Sequence, residues 1–385
     1  MQRVADTRRT AHARVLIAAD KFKGSLTAVE VAEHVAAGLD RARPGTAVEA
    51  LPVADGGDGT VAAAVAAGFT RHTREVTGPT GGRVTAAWAL RDSTAVVELA
   101  EASGLQHLPD GVLAPLTATT RGCGELIAAA LDAGARTLVL GVGGSATDDG
   151  AGMLSALGAR LLTADGTPVG PGGAALADLA RADLSGLDPR LPGIDLVLAG
   201  DVDNPLTGPK GAAAVYGPQK GADEDDVRTL DAALTHYVRV LADSLGGRVA
   251  EAAEAPGAGA AGGVGFAALV GLGARFRPGI EVMLEVLGFA AALDRADLVI
   301  TGEGSLDAQT LHGKAPAGAA AARARGVDTV AVCGRLALGT DALRQAGIRR
   351  AYALLDIEPD PERCFSEAGP LLERLAERLA EDFLT

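Results

Sequence analysis

The chain has 385 residues, 48% of them apolar and only 3% aromatic, with a formal net charge of −14. That length predicts two domains, with cores built mostly from Ala, Val and Leu. The acidic balance argues against nucleic acid or an anionic membrane as partner, because no basic surface is expected at that charge.

Residues 1–13 are polar with no apolar centre, and read as a disordered extension rather than a signal peptide. RVLIAAD, 14–20, is a short apolar run of the buried-strand kind. KFKGS turns the chain, and 27–42 reads as a helix: Thr27 and Glu30 form a capping box, and Val31, Val35 and Leu39 share one face. Lys21, Lys23 and Ser25 then sit between a strand's C-terminal end and a helix's N-terminal end, where free N–H groups and the helix dipole favour an anion. An ordinary capped turn with solvated lysines is the alternative.

Residues 51–68 repeat the pattern, with Asp55 and Asp58 in the turn ADGGDGT. Strand-like pieces follow at 84–90 and 95–100, then a helix at 124–134 and a strand at 137–143. The next loop, GGSATDDGAG, offers Gly143, Gly144, Ser145 and Thr147, then Asp148 and Asp149, before a helix near 149–158. Small residues there let backbone N–H groups approach an oxyanion, yet the loop carries no cation of its own. Residues 194–222 read as a strand and a long Gly/Pro-broken loop holding Asp201, Asp203 and Asn204. An amphipathic helix follows over 226–246, and the biased stretch 252–274 reads as either a flexible linker or a mobile loop that closes on a ligand. From 297 onward strands and helices alternate, with Gly302, Glu303 and Asp307 at the end of one strand. This is the mark of a doubly wound parallel sheet, where ligands bind beyond the strands' carboxyl ends.

Cys123, Cys333 and Cys364 are far apart and read as reduced core thiols. The longest uncharged run, 255–274, is too rich in Gly and Ala for a good membrane span. The expectation is a cytoplasmic protein.

Lysine is rare. Of 35 basic residues five are lysine, namely Lys21, Lys23, Lys210, Lys220 and Lys314, and all five lie in Gly-rich turns. A lysine ammonium is a compact point charge, whereas guanidinium is a wide planar fork, so tight phosphate cradles favour the former. Lysines from separate loops, with a metal ion held by carboxylates, would supply the missing positive charge. Those are the parts of phosphoryl transfer: cations on phosphate oxygens, Mg²⁺ on one or two carboxylates, and a base near the attacking hydroxyl. Each turn alone reads as well as a cap or Asx-turn. There is no GxxxxGK[ST], GxSxG or HExxH, and the GxGxxG at 257–262 follows no strand. His312 reads as a solvent-facing side chain with a catalytic role as the alternative.

DKFKGSLTA, PVADGGDGT, ELAEASGL, GVGGSATDDGAGML, DVDNPLTGPKGAAAVYGPQKGA, GAGAAGGVG and TGEGSLDAQTLHGKAP, in this order, resemble the bacterial type-1 glycerate kinases. The resemblance implies a transferase that phosphorylates D-glycerate with ATP and Mg²⁺, usually to 2-phosphoglycerate. Glycerate 3-kinase or a kinase of a related hydroxy acid is the near alternative; an NAD-dependent hydroxy-acid oxidoreductase and a non-catalytic sugar-acid sensor are the distant ones. It also implies two α/β domains: a Rossmann-like parallel-sheet domain formed by both chain ends, 14–70 plus 290–385, and an inserted α/β domain, 71–289. A homodimer is left open. On this reading Lys21, Lys23, Ser25 and the 143–147 backbone hold phosphates, together with Gly302 and Glu303. Asp201, Asp203 and Asp148 hold the metal, Asp203 or Asp55 orients the hydroxyl, and Lys220 or Lys314 balances the substrate carboxylate. Two positions depart from the family pattern, Asp58 in place of Glu and Ser305 in place of Arg, and Arg335 could stand in for the latter.

Overall fold

The computed structural model describes residues 13–307 and 314–384. Residues 1–12 and His312 lie outside the described residues, as does the side chain of Lys314, which opens the helix Lys314–Ala324. The chain divides into two compact α/β units, Met1–Val53 with Leu284–Thr385, and Ala54–Met283. Both chain ends thus form the first unit, and the second is inserted between them. In chain order the strands are β1 (Arg14–Ala19), β2 (Ala47–Ala50), β3 (Thr70–Thr77), β4 (Arg83–Arg91), β5 (Thr94–Glu98), β6 (Thr137–Gly141), β7 (Arg160–Leu162), β8 (Arg181–Asp183), β9 (Asp195–Ala199), β10 (Arg275–Arg277), β11 (Leu298–Leu306), β12 (Asp328–Leu336) and β13 (Arg350–Ala353).

The first unit is a five-stranded parallel sheet of order β13-β12-β11-β1-β2. Successive side chains of a pleated strand face opposite ways, so one apolar run serves two cores. Val15, Ile17, Val330 and Val332 join Val31, Val35 and Leu39 of the helix Ala28–Ala42, and Leu371, Leu375 and Leu379 of the helix Ala368–Phe383. Ala331 and Cys333 serve the other face, with Ala319, Leu343 and Ile348. The capping box at the start of Ala28–Ala42 is present in both directions: Glu30 N–H donates to Thr27 Oγ1, and Thr27 N–H donates to Glu30 Oε2. Those bonds hold the Glu30 carboxyl below its usual range.

The second unit is a mixed sheet of order β10-β9-β6-β5-β4-β3, parallel from β10 to β5 and antiparallel beyond. β7 and β8 form a separate antiparallel pair. The helix Arg121–Asp132 buries Leu126, Ile127 and Leu131 against Leu138 and Leu140 of β6. The helix predicted over 226–246 runs Glu224–Leu245 and buries Leu230, Leu234, Tyr237 and Leu241. The stretch 252–274 is neither linker nor mobile loop. Ala258, Ala260, Val264 and Phe266 are fully buried, and the helix Val264–Gly271 packs in the core. Its small residues answer to space, since a Cβ on Gly262 would collide with Thr147 O and one on Gly265 with Gly257 O. All three cysteines are buried and none forms a disulfide. Among the described residues no helix is long and apolar enough to cross a membrane.

Candidate active site

In the second unit the loops that follow β6 and β9 meet the loop Asp55–Gly59, which leads into the helix Thr60–Ala66. The approach is backbone to backbone. Gly143 N–H donates to Gly56 O at 3.0 Å, and a Cβ on Gly143 would collide with Gly57 Cα. A Cβ on Gly279 would likewise run into Asp55 O. The three loops enclose a cavity of about 240 Å³. Asp55, Gly143, Gly144, Ser145, Asp201 and Lys220 all line it.

Each lining group is fixed from behind. Asp55 Oδ1 accepts from Gly57 N–H at 3.0 Å, closing an Asx-turn. Ser145 Oγ accepts from Thr147 N–H at 3.0 Å and lies 2.9 Å from Thr147 Oγ1. Within 143–147 the N–H groups of Gly143, Ala146 and Thr147 are engaged, on Gly56 O, Ser103 O and Ser145 Oγ respectively. Those of Gly144 and Ser145 have no partner among the described residues, so the expected backbone cradle narrows to two donors.

Lys220 and Asp148 form a buried ion pair, 2% and 0% exposed. Lys220 Nζ donates to Asp148 Oδ1 at 2.8 Å and to Thr147 O at 2.6 Å. An ammonium has three donors, so one remains for the cavity that Lys220 lines. Burial pushes the Asp148 carboxyl up, and the Lys220 charge pulls it part of the way back. Asp148 Oδ2 is buried with no hydrogen-bond partner among the described residues. Asp149 points elsewhere. It accepts from the N–H groups of Thr120 and Gly152 and from both hydroxyls of Thr119 and Thr120, tying the helix Arg121–Asp132 to the helix Ala151–Ala156.

Glu98, at the end of β5, is 4% exposed. Its carboxylate accepts from Gly59 N–H at 3.1 Å and Val61 N–H at 3.0 Å, capping the helix Thr60–Ala66 that the Asp55 loop feeds. Burial pushes Glu98 up to about 7.

Asp201 and Asp203, both exposed, follow β9. Asp201 Oδ1 accepts from Gly279 N–H at 2.9 Å. Asn204 anchors the loop, donating to Lys210 O at 2.9 Å and accepting from Tyr216 OH at 2.5 Å. Burial, then the Asp203 charge, raises the Tyr216 hydroxyl. Among the described residues no group of three or more His, Cys, Asp or Glu gathers as a metal cage. Mg²⁺ characteristically takes only one or two carboxylates and keeps water or phosphate on its other positions, so the oxygen donors after β9 fit it chemically.

In the first unit Lys21 follows β1, half-buried, with its N–H on Asp20 Oδ1 at 2.7 Å. Asp20 N–H in turn donates to Gly302 O of β11 at 2.8 Å, and Glu303 is the next residue on that strand. Lys23 is exposed, and Ser25 Oγ donates to Phe22 O at 3.1 Å. Lys23 and Ser25 line a second cleft that Lys21, Gly302 and Glu303 do not. Arg335 stands opposite Ser305 in the β11–β12 register, with Nη2 3.5 Å from Ser305 Oγ.

Comparison with known proteins gives these loops a context. Residues 15–384 match the glycerate kinase family. The chain belongs to that family. It is 46% identical over 372 residues to a glycerate kinase of Bacillus subtilis (strain 168), covering 95% of this chain and 97% of that one. It is 43% identical over 348 residues to the glycerate 2-kinase of Escherichia coli (strain K12), covering 89% and 90%. A crystal structure of a candidate glycerate kinase 2 from Salmonella typhimurium LT2 matches with a TM-score of 0.83 at 41% identity, covering 97% of this chain and 98% of that one. Glycerate kinases are phosphotransferases, and the family resemblance read from the motifs holds across the chain.

Within this glycerate kinase family member, sequence reading passed over Glu98 and Tyr216. Glu98 sits in ELAEASGL, and a lone carboxylate closing an apolar strand was the available signal. Tyr216 ends the short helix Ala212–Tyr216, in a stretch whose sequence reads as a Gly/Pro-broken loop.

Two outcomes are expected. K220M strands a buried carboxylate and should cost about 3–5 kcal/mol of stability, and K220M/D148N should regain much of it. Urea unfolding of both variants checks this, and wild-type stability in K220M would contradict it. The second concerns pH. The folded chain keeps the Glu98 proton to higher pH than the unfolded chain, so this group's stabilisation is complete below about 4.5 and is lost as pH rises through about 7. Wild-type stability relative to E98Q should therefore fall between pH 5 and 8, and parallel melting curves would contradict it.

Proposed function

We propose that this protein transfers the terminal phosphoryl group of ATP to D-glycerate, giving 2-phosphoglycerate, in the cytoplasm and with Mg²⁺. The observation that carries this reading is the second-unit cavity, where a buried lysine and two unengaged N–H groups stand beside carboxylates. Family membership, and the relative in Escherichia coli named glycerate 2-kinase, support it.

The chemistry assigned to each group follows from its setting. Lys220 Nζ and the N–H groups of Gly144 and Ser145 seat an anionic oxygen of the acid substrate. The Lys220–Asp148 pair is neutral as a unit, so it offers a directed donor without a large bare charge. Asp55, pinned by Gly57 N–H, orients the attacking hydroxyl and accepts its proton. It is preferred over Asp203 because Asp203 is not among the cavity's lining residues. Asp201 and Asp203 are the residues that would hold Mg²⁺, which when bound neutralises charge on the transferring phosphoryl group. Asp148 is not assigned to the metal, because its Oδ1 already serves Lys220. In the first unit Lys21 and Lys23 meet donor phosphates at the start of the helix Ala28–Ala42. Phosphoryl transfer needs such positioning and charge stabilisation more than covalent help.

The test is ADP release with D-glycerate, followed by phosphorus NMR of the product. Release should depend on both D-glycerate and Mg²⁺, and the phosphate should sit on the 2-hydroxyl. K220M/D148N, restored in stability, should still lose about 100-fold or more in turnover, as when one preorganised donor is removed. Nicotinamide reduction with glycerate, or glycerate binding without ADP release, would overturn the proposal. A 3-phosphate product would correct its regiochemistry.

A further inference from the structure

The strand order of the first unit reverses between β1 and β11: the chain leaves β1 toward β2 on one side and runs β11-β12-β13 on the other. In open α/β sheets ligands bind outside the carboxyl ends of the strands at such a reversal. A cleft of about 320 Å³ lies at these strand ends, on Lys23 after β1, Gly304 of β11, Arg335 of β12 and the residues following β13. That volume is within the ~300–1,000 Å³ of small-molecule sites.

The walls are unlike those of the second-unit cavity. Leu354, Leu355 and Phe365 line this cleft, and Phe365 is 56% exposed. A large ring left open to water beside an arginine suits a flat aromatic ligand, which would stack on the ring and meet the guanidinium. Lys23 also lines the cleft, four residues before Thr27, the N-cap of the helix Ala28–Ala42. The cavity of the second unit has carboxylates at Asp55 and Asp201 and no exposed large apolar side chain, which suits a small acid and not a nucleobase.

We propose that this cleft binds the base of a nucleoside triphosphate, stacked on Phe365 and flanked by Arg335, with the triphosphate running toward Lys23. The inference rests on the reading that a nucleoside triphosphate is the phosphoryl donor. It adds Phe365 and Arg335 as the residues that hold the donor's base.

The test uses the full chain with F365A and F365W. Trp88 is the single native tryptophan and is buried in the second unit, so F365W places a reporter in the cleft. ATP should quench its fluorescence, and inorganic tripolyphosphate should not. F365A should raise KM for ATP about tenfold, the effect of losing one base–aromatic stack, and leave KM for D-glycerate unchanged. Should F365A fail to fold, the F365W titration decides alone. No quenching by ATP overturns the cleft. ADP release by wild type with no response in either variant sinks the cleft and leaves the kinase reading standing. Quenching by ATP without D-glycerate-dependent ADP release supports the cleft and sinks the kinase reading.

Discussion

The second unit depends on one constraint: the loop Asp55–Gly59 meets the chain after β6, at the end of β9 and after β10 backbone to backbone. Gly143 lies on Gly57, Gly56 on Ala199 O, and Gly279 on Asp55 O, with no space at any of these contacts for a Cβ. Interiors packed to crystal density leave few ways to absorb an extra methyl group. The candidate site is the space these contacts enclose. At its edge the N–H groups of Gly143, Ala146 and Thr147 are already committed, and those of Gly144 and Ser145 are left over among the described residues. Glycine here does more than permit a turn. It lets peptide groups from loops distant in sequence converge on one small cavity.

The Lys220–Asp148 pair adds the charge logic. The loop 143–149 contains no cation, and the cation that reaches it comes from beyond β9 and is matched at once by Asp148. Burying a lone ammonium would be costly, and a carboxylate partner makes the burial tolerable. Thr147 O fixes the ammonium's direction, which leaves its remaining donor to the cavity. Glu98 plays the matching part on the other side by capping the helix that the Asp55 loop enters.

Much of this was legible in the residues. The alternating segments after 297 became β11, β12 and β13, because uncharged apolar runs bounded by glycine suit strands covered on both faces. The capping box at Thr27 and Glu30 is a local pattern, and local patterns survive folding. The edge strand β3 escaped because RHTREVT is polar on most positions and buries little beyond Val76. The stretch 252–274 misled for a related reason: Gly and Ala resemble a linker in composition, and only tertiary contacts show that Gly257, Gly259, Gly262 and Gly265 make room for neighbours. The roles of Asp148 and Asp149 were equally hidden. Adjacent in sequence, they point to different partners, one to Lys220 and the other to Thr119 and Thr120.

The candidate site stands or falls with the Gly143–Gly57 contact. The most direct measurement is D-glycerate-dependent ADP release by G143A, taken at a temperature where the variant is fully folded. The expected result is a loss of activity far larger than any loss of folded protein, because the added methyl group must push the Asp55 and Ser145 loops apart. Wild-type turnover and wild-type KM in G143A would contradict it.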